Sequence, residues 1–249
     1  MMVSGLKLAI LYGLYPHELG FCGPQKKSTK EALLNFVFGK KVSLRKIRKI
    51  LEGFKGAFFY YKLIAKSNKI KDPFDEKVIK AYWIGNNLLE KVKTSDLRKM
   101  IAKDFARPGL LTKKIAQKKA KEIIEGAKPH HSFHVLAIGS VTGRIRLKGK
   151  MLDFCRISWG KVIRKIQNSE SKFQITVKYQ PLIKNKIIRL GKPIEKEIFW
   201  DKNLVLKIKI GDWVSFHWDH LVQRLSAKET GSIKRYTGFT LKLLRNSLK

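Results

Sequence analysis

A chain of 249 residues with 44% apolar side chains can bury a core as one large domain or two small ones, and its 29% charged fraction is not that of a disordered chain. The 54 lysines and arginines against 19 acids leave a net charge of +35, a field that either recruits polyanions or simply solvates a basic surface. No apolar stretch is long enough to span a bilayer and no leader pattern precedes 6–14, so the expected location is the cytoplasm, with Cys22 and Cys155 as thiols.

Residues 6–14 read as a short apolar helix or strand that Pro16 stops. Gly20, Gly23 and Pro24 make an irregular turn around Cys22. Ser28-Thr-Lys-Glu31 has the form of a capping box, and the apolar run after it predicts a helix to about Gly39. Cys22 would then lie just before a helix N-terminus, where the dipole favours a thiolate. Ser43 is the expected cap of a helix carrying Leu44, Ile47, Ile50, Leu51 and Phe54 on one face. Positions 58–64 continue in a helical run. Asp72-Pro73 predicts the start of a helix with one apolar face over 78–92. Ser95 opens a helix to Phe105, and Thr112 opens one to Glu125 that Gly126 ends. Lys113, Lys114, Lys118 and Lys121 form the outer, solvated face of the latter.

After Pro129 the pattern turns to alternation. Positions 133–138, 151–159, 172–183, 186–190, 197–200, 204–210 and 213–217 read as strands. Asp219 is the expected cap of a helix over 220–226, and a closing helix covers 232–248. The expected fold is α+β. A helical part, 1–128, packs on a mainly antiparallel sheet in a strand-rich part, 129–249, closed by C-terminal helices, and the two form one unit.

All six histidines sit in three motifs: His17 beside Cys22, His130, His131 and His134 in Pro129-His-His-Ser-Phe-His-Val135, and His217 and His220 near the C-terminal end. Thiols with imidazoles suit zinc, and also nickel or iron. The candidate metal ligands are His17, Cys22, His131, His134, Cys155, His217 and His220. His131 and His134 would share a face on a helix, but the expected strand sets them on opposite faces. Cys22 is alternatively a nucleophile, with a histidine such as His131 as base and Asp219 or Asp212 orienting it. The same residues also fit plain packing: a buried cysteine, histidines bonded to carbonyls, and Asp219 as a cap.

A third possibility is a basic binding module. Arg144, Arg146, Lys148 and Lys150, together with 41–49, are the best basic stretches. Neither forms a known reading motif, so any contact with nucleic acid would be salt-sensitive and sequence-indifferent.

Six motifs spread in order along the chain carry a resemblance. They are Tyr15-Pro-x-Glu18-Leu-Gly-x-Cys-Gly-Pro24, Tyr82-Trp-x-Gly-Asn86, Pro129-His-His-Ser-Phe-His-Val135, Cys155-Arg-x-x-Trp-Gly160, Pro181-Leu182 and Gly211-Asp-Trp-Val-Ser-x-His-Trp-Asp219. Together they resemble a family of uncharacterised bacterial and archaeal proteins of unknown function. Similar proteins often occur in organisms with nickel–iron hydrogenases. The resemblance therefore implies an accessory role around such a metalloenzyme or its subunits, and it assigns no catalytic residues. The lysine load here exceeds what the resemblance implies, which argues against charge as the shared function.

Overall fold

The computed structural model describes residues 4–167 and 172–246. Its first helix, α1 (Gly5–Glu18), is apolar around its whole circumference, and a helix of that kind belongs inside a core. Ser4 caps it, and α2 (Lys27–Val37), α3 (Leu44–Glu52) and α5 (Glu76–Trp83) pack around it. Pro16 does not stop α1, which runs two residues beyond it. The proline removes one hydrogen bond only: the carbonyl of Tyr12, four residues back, has no intrahelical donor.

The remaining helices are α4 (Lys55–Ser67), α6 (Thr94–Asp104) and α7 (Lys113–Lys121), with a 3₁₀ turn at Asn87–Lys91. Thr112 caps α7 as expected, but α7 ends at Lys121 rather than 125. Two expected starts shift. α2 begins at Lys27 with no side-chain cap, so Ser28 lies inside the first turn. Asp75 rather than Asp72 caps α5; Asp72 pairs with Arg48 at 2.9 and 2.6 Å and accepts the Phe74 amide at 2.9 Å in the turn before the helix.

The second half differs more. Positions 133–138 are not a strand. His131–Phe133 forms a short helix, α8, that opens into a π-turn over His134–Ile138, and Gly139 at φ +77° ends it. In so short a run with apolar residues on both sides, alternation and helical spacing cannot be told apart. Positions 151–159 divide into helix α9 (Lys150–Cys155) and the start of strand β1 (Ser158–Gln167). Positions 204–210 form no strand, and Lys207 there has φ +57°. The helix expected over 220–226 is a strand. Trp218 and Asp219 both have positive φ and make a two-residue turn, so Asp219 caps nothing and the chain returns as a hairpin.

Five strands close into a barrel in the order β1, β2 (Lys172–Tyr179), β5 (Ile194–Asp201), β7 (His220–Leu225), β6 (Trp213–His217). All its pairings are antiparallel except β5 with β7. Counted within the barrel the order is 1-2-3-5-4 with 4 returning to 1, the Greek-key closure of an OB-type barrel. Val162, Ile175, Val177, Ile198, Val214 and Phe216 fill it. A two-stranded ribbon, β3 (Leu182–Lys184) and β4 (Ile188–Leu190), stands outside. Helix α10 (Ala227–Asn246) closes the chain, and positions 247 and 248 of the expected closing helix lie outside the described residues. The main core is continuous from the helices into Trp159, Val222 and Leu225 of the barrel.

Candidate metal centre

Three chain segments distant in sequence meet where the helices touch the barrel. α8 begins with His131, α9 ends with Cys155, and β6 ends with His217 just before the tight turn. One donor atom from each of the three lies within 4.8 Å of the others. α8 is tied to α10 by Ser132 Oγ and Thr237 Oγ1 at 2.9 Å. The exit of α9 is fixed by Arg156, whose buried guanidinium donates from Nε to Asp153 at 2.9 Å and from Nη2 to the Gln180 carbonyl. Asp153 also accepts from Tyr179 Oη at 3.0 Å and from the Leu182 amide at 2.8 Å, so one carboxylate pins the segment that carries Cys155.

The two imidazoles converge on a single oxygen. His131 Nε2 and His217 Nε2 each lie 2.8 Å from the Cys155 carbonyl oxygen. Their other nitrogens are also held. His217 Nδ1 lies 2.7 Å from the Tyr12 carbonyl, the one that Pro16 leaves without a helical donor. His131 Nδ1 lies 3.0 Å from Tyr82 Oη, which donates to the Gly56 carbonyl at 3.2 Å. Trp83 packs on both rings, 4.4 Å from His131 and 5.9 Å from His217 between centroids.

Burial keeps these groups neutral. It pushes His217 down to about 4 and His131 well below its usual value, with His217 and His134 adding to the shift at His131. It raises the Cys155 thiol well above the ordinary range, with Cys22 contributing. A neutral imidazole carries one proton. His217 faces carbonyl oxygens with both nitrogens, so one of those contacts has no proton in it. Counting Tyr82, His131 and His217 together, three protons are available for five close contacts. The site holds more lone pairs than protons.

A cavity of about 70 Å³ opens beside these residues, and Cys22, Phe54, Trp83, His134 and Val141 form part of its wall. Cys22 and His134 therefore come near the cluster without joining the three-donor group. Burial raises the Cys22 thiol to about 11 against the lowering effect of Arg144, so the helix-dipole expectation of a thiolate fails. His134 has Nδ1 3.2 Å from Tyr60 Oη and is pushed down to about 3 by burial, with Lys119 adding to it.

The other sequence candidates lie elsewhere. His17 Nδ1 contacts the Cys22 carbonyl at 3.0 Å and holds the turn. His220, half-buried, stacks on Tyr15 away from the cluster. Asp219 pairs with Lys196, and Asp212 accepts from the Lys209 amide; neither is hydrogen-bonded to a histidine among the described residues. Arg144 donates to the Gly23 carbonyl at 2.7 Å, while Arg146, Lys148 and Lys150 are exposed. Sequence reasoning missed Tyr12, Tyr82 and Pro16 as parts of the site. The Tyr82-Trp motif was a usable signal for one of them, and Tyr12 had none.

Fold and site together define an α+β protein with a small Greek-key barrel and a buried cluster of two histidines and a cysteine. The chain belongs to a family of unknown function (DUF6390), whose model matches residues 1–249. No curated protein matches it, and neither does any solved structure. No described helix is long and apolar enough to cross a membrane.

Proposed function

We propose that the protein binds one transition-metal ion through His131 Nε2, His217 Nε2 and Cys155 Sγ. The proton shortage carries this reading. Tyr12 and Tyr82 take the Nδ1 protons, which leaves both Nε2 lone pairs aimed at one carbonyl oxygen, and a cation is what such an arrangement lacks. Backbone and hydroxyl partners on Nδ1 are the outer-shell contacts that orient metal-binding histidines. Cation binding also removes the obstacle at Cys155, because the metal replaces the thiol proton that burial holds in place.

Two imidazoles and one thiolate suit zinc first, with nickel and iron as competitors. Bonds of 2.0–2.3 Å place tetrahedral ligands about 3.3–3.8 Å apart, so the cluster draws in by about 1 Å on loading. Three protein ligands would leave one position for an exchangeable ligand, as in sites that react or exchange rather than closed structural ones, and the three residues line a cavity. An exchangeable site fits an accessory protein that supplies metal to a metalloenzyme such as a nickel–iron hydrogenase. A cysteine-dependent enzyme is less well supported, since no activated thiol is present.

The test is metal analysis of untagged protein purified without chelator, with titrations of Zn²⁺, Ni²⁺ and Fe²⁺ followed by proton release and melting temperature. One equivalent of metal is expected, lost in Cys155→Ser and His217→Gln but kept in His134→Gln. A folded protein that contains no metal and shows no shift in melting temperature with any of the three ions would overturn the proposal.

A further inference from the structure

A second cavity, of about 400 Å³, lies between the end of α1 and the barrel and shares no wall residue with the metal centre. Its volume falls in the range of small-molecule sites, about 300–1,000 Å³. We propose that it binds a small organic cation: a primary or quaternary ammonium on an apolar body.

The cavity wall is built from ring faces and acceptors. The one parallel pairing of the barrel sets Phe199 beside His220. Tyr15 stacks on the other face of this arrangement: its ring centroid is 3.4 Å from that of His220, which is 5.1 Å from that of Phe199. Phe199 is 51% exposed and Phe38, on the same wall, is 46% exposed. Aromatic rings left open to water at the rim of a cavity mark a surface waiting for a ligand. Ring faces are negative and attract a cation, the more strongly the further it is desolvated.

The polar groups agree with that sign. Glu18 and Asp201 line the same cavity, two of only 19 acids in a chain of net charge +35. Their field reaches Tyr15, whose hydroxyl is held above its ordinary value first by burial and then by Asp201 and Glu18. His220 donates from Nδ1 to the Trp218 carbonyl at 2.7 Å, and burial keeps it neutral, so its Nε2 is an acceptor. Asp201 accepts the Asn203 amide at 2.8 Å and forms no ion pair with the described residues. Glu18 meets Lys30 at 3.2 Å in a part-exposed pair, which solvent screening keeps weak and displaceable. Two carboxylates, one imidazole acceptor and a stack of rings select a cation, exclude anions and give neutral compounds only the apolar part of the binding energy.

Benzyltrimethylammonium and phenethylamine are the probes, with benzyl alcohol and phenylacetate as neutral and anionic comparators. Binding to the full chain is followed by methyl chemical shifts of Leu14, Leu34 and Leu204 and by calorimetry. Both cations are expected to bind at least tenfold more tightly than benzyl alcohol, and phenylacetate not at all. Asp201→Asn keeps the acceptor for the Asn203 amide and removes the charge, so it should weaken the cations at least fivefold and leave benzyl alcohol unchanged. Phe199→Ala, a surface change, should weaken both classes. Equal affinity for cation and alcohol, or undiminished cation affinity in Asp201→Asn, would overturn the proposal. Metal content plays no part in this readout.

Discussion

Lowering the pH from 7 to 5 should bring this protein close to unfolding, and buried histidines are the cause. Burial pushes His130 and His134 down to about 3 and His217 to about 4 in the folded chain. In the unfolded chain each titrates near its ordinary value of about 6.5. Below that value the unfolded chain takes up protons that the native chain refuses, so stability falls as pH falls and is lost progressively down to about pH 3. Integrated between pH 7 and 5, each of the three contributes about 1.8–1.9 kcal/mol, together about 5–6 kcal/mol. His131, shifted in the same direction, adds to this. A whole domain has about 5–15 kcal/mol to lose. Urea denaturation of metal-free protein at pH 7, 6 and 5 measures the effect. The carboxylates with lowered values, Asp72, Glu90, Glu125 and Glu229, titrate below this window and do not confuse it. A loss of less than about 1 kcal/mol between pH 7 and 5 would mean that the imidazoles are protonated or solvated in the native state, and the proton count at the metal centre would fail with it.

Asp153→Ala leaves the buried Arg156 guanidinium uncompensated and removes the acceptor of Tyr179 and Leu182, so urea denaturation should show a loss of about 3–5 kcal/mol; a loss under about 1 kcal/mol would show that the network does not hold the α9 exit. Pro16→Ala supplies an amide that competes with His217 Nδ1 for the Tyr12 carbonyl, so zinc affinity should fall roughly 10-fold with little change in fold, and unchanged affinity would detach Pro16 from the site. The Cys22 thiol, raised to about 11, should react with iodoacetamide only slowly at pH 7.5 and faster by nearly tenfold per pH unit, whereas rapid labelling at neutral pH would restore the nucleophile reading. The charge of +35 should give DNA binding that is indifferent to sequence and weakens by about 10³-fold between roughly 50 and 200 mM salt if six phosphates are neutralised, and its absence at low salt would reduce the charge to solvation.

The helical half was legible because its signals are local. Thr112 capping α7 and the apolar face of α3 are both read within one or two turns of chain. Strands β2, β5 and β6 were legible as alternation and the mainly antiparallel sheet with them, but its closure into a barrel was not. What was lost were short runs whose neighbours decide their state. Residues 150–155 and 131–138 are helical because packing on the ribbon and on α10 holds them, and their sequences alone suit either state. Residues 220–225 are a strand because Trp218 and Asp219 accept left-handed conformations, which sequence does not advertise at a tryptophan.

The site itself shows the same division at finer grain. Clustering marked His131 and His217 as chemistry-bearing, and Cys155 with them, because residue type is local information. Which of the seven candidates share a centre depends on contacts across up to 205 positions, as between Tyr12 and His217. The expected strand weakened the His131/His134 pair as a shared chelate; the segment is helical instead, yet the rings are 6.1 Å apart and His134 pairs with Tyr60, so the pair stays apart for a different reason. Pro16 makes the limit plain. A proline in an apolar run reads as a stop because it deletes a donor and crowds the preceding turn. Here the helix passes through it, and the freed Tyr12 carbonyl lies 2.7 Å from His217 Nδ1; in the proposed site it would accept the proton of that nitrogen and leave Nε2 for the metal.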